Sequence, residues 1–305
     1  INMPKMNGIT FLRNLMKFHP MPAVIISGED TEGNEIFEYG AVGFIKKFEV
    51  GEKDNSFELR VKENLMRLIF LLKRYTLKKP KAKKKNIATS SVIEEKNHPD
   101  ILLKNNPSLK KGKKIIAIGS STGGIESLLR VFSTLPSNLP PIVMTQHIPY
   151  GFSSSFAKRL DKSSHHNIKV KEAENGDICE ESCAYLAPGN MHMIIENTIN
   201  GKYKIRLDNG VKISRHKPSV NILFRSINNC AGGGAMGILM TGMGDDGAMC
   251  LKEMRNNGAY TIAQDEKTSV VFGMPAKAIE LNAAVKVIAL NKIADEIKFF
   301  SSNKY

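Results

Sequence analysis

Apolar and polar positions along this chain follow two rhythms, and they change where the composition changes. Gly8 to His19 carries Ile9, Phe11, Leu12, Leu15 and Met16 at helical spacing. Pro22–Ile26 and Ala41–Ile45 are short unbroken apolar runs, closed by Ser27-Gly28 and Lys46-Lys47, and predict buried strands. Leu59, Val61, Leu65, Leu68, Leu71 and Leu72 predict a helix over Phe57–Tyr75. From Thr76 to about Lys113 the chain turns to Lys, Asn, Ser and Pro without periodicity, which predicts a linker.

Beyond Lys114 the texture is that of a domain with its own core. Strands are predicted at 115–119, 141–146, 167–171, 183–187, 192–196, 203–207, 235–241, 259–263 and 284–287. Helices are predicted at 122–134, 152–163, 218–231, 246–257 and 273–282. Strand and helix alternate at both ends of this region, the pattern of parallel β-α-β units. Between 167 and 215 short strands and turns such as Asp208-Asn209-Gly210 predict an antiparallel insert. The expected fold is α/β: a mostly parallel, doubly wound sheet with an antiparallel insert over 113–298. It is preceded by a partial α/β domain (1–50), then by a helix and basic linker (51–112). The first 50 or so residues can bury little core alone, so they read as half of a larger domain.

Three of the apolar runs end in chemically loaded turns. Ile115–Ile118 leads to Gly119-Ser120-Ser121-Thr122-Gly123-Gly124, Pro141–Met144 leads to Thr145-Gln146-His147, and Met236–Met240 leads to Thr241-Gly242-Met243-Gly244-Asp245-Asp246-Gly247. A Ser, a His and an Asp each follow a predicted buried strand, and in an open parallel sheet those strand ends share one rim. Gly119-Ser120-Ser121-Thr122-Gly123 matches G-x-S-x-G, the turn that presents a nucleophilic serine near a helix N-terminus. On the turn alone two other readings stay open: a phosphate cradle, though it has no G-K-[ST], or a plain helix cap. His147 lies one β-α-β step after Ser121, so their strands can be neighbours. Either Asp245 or Asp246 could orient His147, and the glycines around Met243 leave backbone N–H groups for an oxyanion. The order Ser, His, Asp differs from the Ser, Asp, His order of α/β-hydrolases.

Composition narrows the class. The chain has 305 residues, 42% of them hydrophobic, enough for about two domains. No apolar run approaches a membrane span, and no charged-then-apolar leader follows Ile1. The expectation is part of a longer cytoplasmic protein whose start lies upstream. Four cysteines (Cys179, Cys183, Cys230, Cys250) without paired spacing predict reduced thiols rather than a disulfide framework or a metal site. The net charge of +14 is concentrated: eight basic residues and no acidic one lie between Lys73 and Lys85. Without interleaved aromatic residues this predicts a solvated linker, not a specific nucleic-acid site.

Seven collinear motifs then carry a family resemblance. They are Ile118–Gly124, Pro141–His147, Ala187-Pro188-Gly189, Arg215–Val220, Thr241–Gly247, Ala263-Gln264-Asp265 and Val270–Pro275. Together they resemble the chemotaxis protein-glutamate methylesterases, the CheB family, over about residues 114–290. Met3–Gly8 resembles the loop after the phospho-acceptor strand of a flavodoxin-like response-regulator receiver domain. Ser27 and Lys47 fall where receivers keep a switch hydroxyl and a phosphate-binding lysine. The acceptor Asp is expected just before Ile1.

The resemblance implies Ser121 as nucleophile, His147 as general base and then acid, and Asp246, which precedes Gly247 in its motif, as the group that orients His147. It implies the Met243 backbone as an oxyanion donor, with Thr122 beside it. The implied substrates are γ-glutamyl methyl esters on the cytoplasmic helices of chemoreceptors, with glutamine deamidation as a related activity. No metal or organic cofactor is implied, and a histidine kinase is the partner of a complete receiver. The departures are Asn7 for the usual Asp, Phe48 for the usual Pro, a shortened Thr31–Gly40 stretch, and Asn221 where the family usually has Asp. They bear on phospho-regulation more than on catalysis. The rival from another class is a non-catalytic receptor- or nucleotide-binding module that keeps the same rim.

Overall fold

The computed structural model describes residues 8–18, 23–27, 41–46, 96–148, 151–164 and 167–302. The chain divides into two units, Ile1–Ser90 and Ser91–Tyr305. In the first, helix α1 (Gly8–Phe18) precedes strands β1 (Ala23–Ser27) and β2 (Ala41–Lys46), which pair in parallel and bring Ser27 opposite Lys46. Leu12, on the apolar stripe of α1, is buried against Ile9, Met16, Ala23 and Ile25. Lys47, the helix expected over Phe57–Tyr75 and the basic run lie outside the described residues.

The second unit contains β3 (Ile115–Ser120), α2 (Gly124–Phe132), β4 (Ile142–Gln146), α3 (Ser153–Ser163), β5 (Lys169–Glu172), β6 (Cys183–Leu186) and β7 (His192–Asn197). These are followed by β8 (Tyr203–Asp208), α4 (Val220–Ala231), β9 (Ala235–Leu239), α5 (Ala248–Asn256), β10 (Tyr260–Gln264), α6 (Met274–Glu280), β11 (Lys286–Ile288) and α7 (Ile293–Ser302). Seven strands form one sheet in the order β11-β10-β9-β3-β4-β6-β5, and every neighbouring pair is parallel. The inner strands are buried on both faces and therefore read as continuous apolar runs, not as alternating ones. Within β3, Ile115 and Ala117 face one layer, with α4, α5 and α6. Ile116 and Ile118 face the other, with α2, α3 and α7. Burying each such Ile is worth roughly 1.5–3 kcal/mol.

The middle of the domain differs from expectation. Of its four strands only β7 and β8 pair antiparallel, as a separate hairpin closed by Thr198–Gly201. β5 and β6 instead extend the main sheet in parallel. The Asp208-Asn209-Gly210 turn follows the hairpin and does not close it. Its Asp208 carboxylate accepts the Gly210 N–H at 2.8 Å.

Helix α7 has no counterpart in the sequence expectations, although Ile293, Ile297 and Phe300 are buried at helical spacing. Residues 96–112, which composition assigns to the linker, run along α4. Buried Arg225 grips Glu253, Asp100 and the Leu103 carbonyl there, and Gly112 donates to Ala231 O at 2.9 Å.

This winding decides where a site can form. The chain enters the sheet centre at β3, moves to one side through β4, and returns on the other side at β9. The carboxyl ends of β3, β4 and β9 therefore sit together where the winding direction reverses, the position at which open α/β sheets bind ligands.

Candidate active site

The β-ladder runs one residue past the named strands and lines up the two leading residues. Ser120 pairs with Gln146 in register, and the His147 N–H donates to Ser120 O at 3.0 Å. On the other side the Ser121 N–H donates to Thr241 O at 3.0 Å. Gly124 opens α2 after a turn in which Gly123 adopts φ 82°, a left-handed conformation that favours glycine. Ser121 is thereby left at the mouth of a strand-to-helix turn, partly exposed above a fully buried strand.

A buried amide ties this turn to the next. The Gln146 side-chain Nε2 donates to Ser121 O at 2.9 Å and to His147 O at 3.0 Å, while its Oε1 accepts the Ser120 hydroxyl at 2.7 Å. One side chain thus uses both donor hydrogens on the carbonyls of the two candidate catalytic residues. From the β9 side, Gly242 comes equally close: a Cβ there would lie 2.7 Å from Ser121 Cβ and 2.3 Å from Met274 Sδ. Met243, the next residue, is 72% exposed at the rim. Among the described residues no backbone acceptor takes its N–H. Thr122 is exposed beside Ser121, and its carbonyl faces the buried Thr241 hydroxyl at 3.0 Å.

His147 Nε2 lies 2.8 Å from Asp246 Oδ2. The carboxylate can only accept, so Nε2 carries the proton and Nδ1 keeps the lone pair. Nδ1 is buried and has no hydrogen-bond partner. Asp246 itself is fully buried and held at the N-terminus of α4. Its Oδ1 accepts the Ser219 hydroxyl at 2.8 Å and the Asn221 N–H at 3.1 Å, and its Oδ2 also accepts the Val220 N–H at 2.7 Å. Burial would raise the pKa of this carboxyl. The hydrogen bond and electrostatic attraction from His147, with His216 and the Ser219 hydroxyl, outweigh burial and hold it below the usual carboxylate range. The free N–H groups of a helix N-terminus add to this preference for the anion.

The doubled aspartate separates cleanly. Asp245 pairs with Lys96, whereas Asp246 takes His147. The two carboxylates therefore do not converge on one ligand.

Four contributors have no assigned role in the sequence reading. His216 stacks on His147, with ring centroids 3.7 Å apart and planes 10° from parallel. His192 Nδ1 accepts the Ser219 N–H at 3.2 Å while its Nε2–H donates to Val211 O at 2.9 Å, so its neutral tautomer is fixed. Burial is the main cause that lowers its pKa. Gln146 and Ser219 complete the list. Of these, Gln146, His216 and Ser219 lie inside the seven motifs, so their positions are marked in the sequence although their partners are not. The Asn221 amide, for its part, donates to Ser214 Oγ at 3.0 Å and accepts the Cys250 N–H at 3.2 Å. It therefore adds no second charge beside Asp246. Ser27 closes β1 in the other unit; its side chain, like all of Lys47, is outside the described residues.

The CheB methylesterase family model matches residues 116–297, which contain every element of this rim. The chain belongs to the CheB methylesterase family. A protein-glutamate methylesterase/protein-glutamine glutaminase of Saccharophagus degradans is 44% identical over 302 residues, covering 97% of this chain and 82% of the relative. A relative of the same name from Borreliella burgdorferi is 48% identical over 218 residues, covering 70% of this chain and 56% of its own length. The crystal structure of the Thermotoga maritima CheB methylesterase catalytic domain matches with a TM-score of 0.59 and 38% identity. It covers 61% of this chain and 97% of that one. The CheB fold thus accounts for the parallel sheet and for the rim at its switch point.

Proposed function

We propose that this chain hydrolyses glutamate γ-methyl esters on the cytoplasmic helices of chemoreceptors through a triad of Ser121, His147 and Asp246. One observation carries the assignment: a carboxylate that is buried and fully hydrogen-bonded fixes the proton on His147 Nε2 and leaves Nδ1 buried without a partner, one residue past the strand pair that leads to Ser121. As Ser121 Oγ attacks the γ-carbonyl carbon, Nδ1 takes the hydroxyl proton, and Asp246 balances the imidazolium that forms. The carbonyl oxygen becomes an oxyanion, for which the Met243 N–H is the candidate donor. Collapse of this intermediate expels methanol, which receives the proton from Nδ1 and leaves a glutamyl ester on Ser121. Water, deprotonated by the same Nδ1, then releases the glutamate carboxylate and restores the serine.

The names of the relatives favour a second activity on the same atoms. A glutamine side chain would follow the same path, with ammonia leaving in place of methanol. A binding module without turnover has no need of a buried Asp-His pair whose second nitrogen is bare. Receiver control is also part of the proposal, supported by the parallel β1–β2 pair and by the place of Ser27 and Lys47 in the sequence. Phosphorylation by a histidine kinase and a cytoplasmic location follow from the same resemblance. The structure contributes only that no described helix is long and apolar enough to cross a membrane.

Ser121→Ala should lower release of methanol from a methylated receptor fragment by several orders of magnitude, on the order of 10⁶ by analogy with serine hydrolases. Turnover within tenfold of the parent would refute the triad and favour the binding module.

A further inference from the structure

We infer that His216 is a positioning residue for the proposed base: its ring forms the wall on which the His147 imidazole is stacked, holding Nε2 on Asp246 and keeping Nδ1 free of any other partner. The inference rests on the triad reading and extends it to a residue that makes no contact with Ser121 in that scheme. The rings lie 3.7 Å apart and within 10° of parallel, a contact that restrains rotation of His147 about χ2 without using either of its nitrogens. A hydrogen bond from Nε2 alone fixes one atom. A stacked face fixes the plane, and both are needed to aim Nδ1.

The backbone around His216 is built to hold that face in place. Ser214 and Arg215 both adopt left-handed φ values, 51° and 70°, which cost a non-glycine residue energy and persist only where surroundings enforce them. Here the surroundings are visible. Ile213 and His216 exchange two backbone hydrogen bonds, at 3.0 and 2.8 Å. The Ser214 N–H donates to Asn97 O at 3.0 Å, and its hydroxyl accepts from Asn221. Three residues later, Ser219, Val220 and Asn221 grip Asp246. One short segment therefore supports both partners of His147: its ring face through His216 and its carboxylate through the start of α4.

Electrostatics agree with a packing role. The charged and titratable groups facing His216 are His147, Asp246, Asp245 and Lys212. Burial, then His147, lower its pKa to about 4 against the smaller raising effect of the two aspartates. At neutral pH the wall is uncharged, so it does not oppose the imidazolium that forms on His147 during attack. A protonated ring at 3.7 Å would.

The test compares the full chain with His216→Phe, His216→Ala and Ser121→Ala, using methanol release from a methylated receptor fragment across pH 5–9. His216→Ala should lower kcat about tenfold and leave KM within about twofold, because the aim of the base is lost and not the substrate contact. His216→Phe keeps a flat ring and should recover kcat to within about threefold of the parent, with the pH profile of kcat unchanged above pH 6. Ring-current shifts on the His147 protons in the NMR spectrum should survive in the Phe variant and vanish in the Ala variant, and dispersed amide resonances in both spectra check that both fold. Equal kcat for parent and Ala variant would overturn the inference while leaving the triad standing, provided Ser121→Ala is inactive. A Phe variant as slow as the Ala variant would also overturn it, since the role would then belong to a ring nitrogen. Activity of Ser121→Ala would instead defeat the underlying triad reading.

Discussion

At the residue scale the site depends on where single protons are held. Asp246 accepts from three groups on Ser219, Val220 and Asn221 besides His147, so every donor around it expects an anion. Asp246→Asn would set an amide N–H against those donors or against Nε2–H, and would favour the wrong His147 tautomer. Its kcat should fall on the order of 10⁴-fold, and its unfolding free energy by about 1–3 kcal/mol, read from steady-state kinetics and urea titration. His216 sets a dependence with a definite sign. Its folded pKa of about 4 is below the ordinary 6.5, so the unfolded state binds the extra proton first. Its contribution to stability is complete above pH 6.5 and is lost as pH falls toward 4. His216→Phe should flatten the decline of the denaturation midpoint between those values. An identical slope in parent and variant would show that this ring does not govern it.

The residue scale also shows what the sequence displays and what it hides. The places of Ser121, His147 and Asp246 beyond strand ends are legible because each follows an apolar run. The choice between Asp245 and Asp246 is not spelled out by spacing; it is made by side-chain direction, one toward Lys96 and the other toward His147. His216 sits in a motif but comes from a loop, and nothing in a linear pattern says which ring it will cover.

At the element scale, parallel strands make the site and loops tune it. The inner strands β3, β4 and β9 were readable to within about two residues because both faces of each are buried and the runs are unbroken. β5 and β6 are shorter, and β5 carries Lys169, Lys171 and Glu172, a composition that looks like a solvated strand. Their place in the main sheet is decided by partners far along the chain.

Gln146 is the element-level joint, clipping the end of β3 to the end of β4. Gln146→Leu removes two donors from half-buried carbonyls and should cost about 1–3 kcal/mol by denaturant titration. It should also lower kcat by more than KM changes, since the turns that carry Ser121 and His147 lose their common tie. A variant of parental kcat would mean the backbone ladder alone holds the two turns in line.

At the scale of the whole molecule the two units are described separately, and the proposed regulation comes from the resemblance of the first to half of a receiver. In that reading an unphosphorylated receiver restrains the esterase. A chain starting at Ser91, the boundary of the second unit, should then hydrolyse receptor ester faster than the full chain, measured as kcat/KM on the same substrate. An unchanged rate would mean that residues 1–90 do not inhibit. The start of the second unit should be respected in that experiment. Asp100 and the Leu103 carbonyl are held by buried Arg225, and a cut beyond them would leave that cation facing Glu253 alone.

Everything proposed for this site turns on Ser121 becoming covalently esterified during turnover. Rapid-quench mass spectrometry of the chain mixed with a methylated receptor fragment measures this directly. A burst of methanol should accompany a receptor-derived acyl adduct on the peptide carrying Ser121, with neither burst nor adduct in Ser121→Ala. Steady methanol release with Ser121 unmodified at every time point, and undiminished in Ser121→Ala, would contradict it.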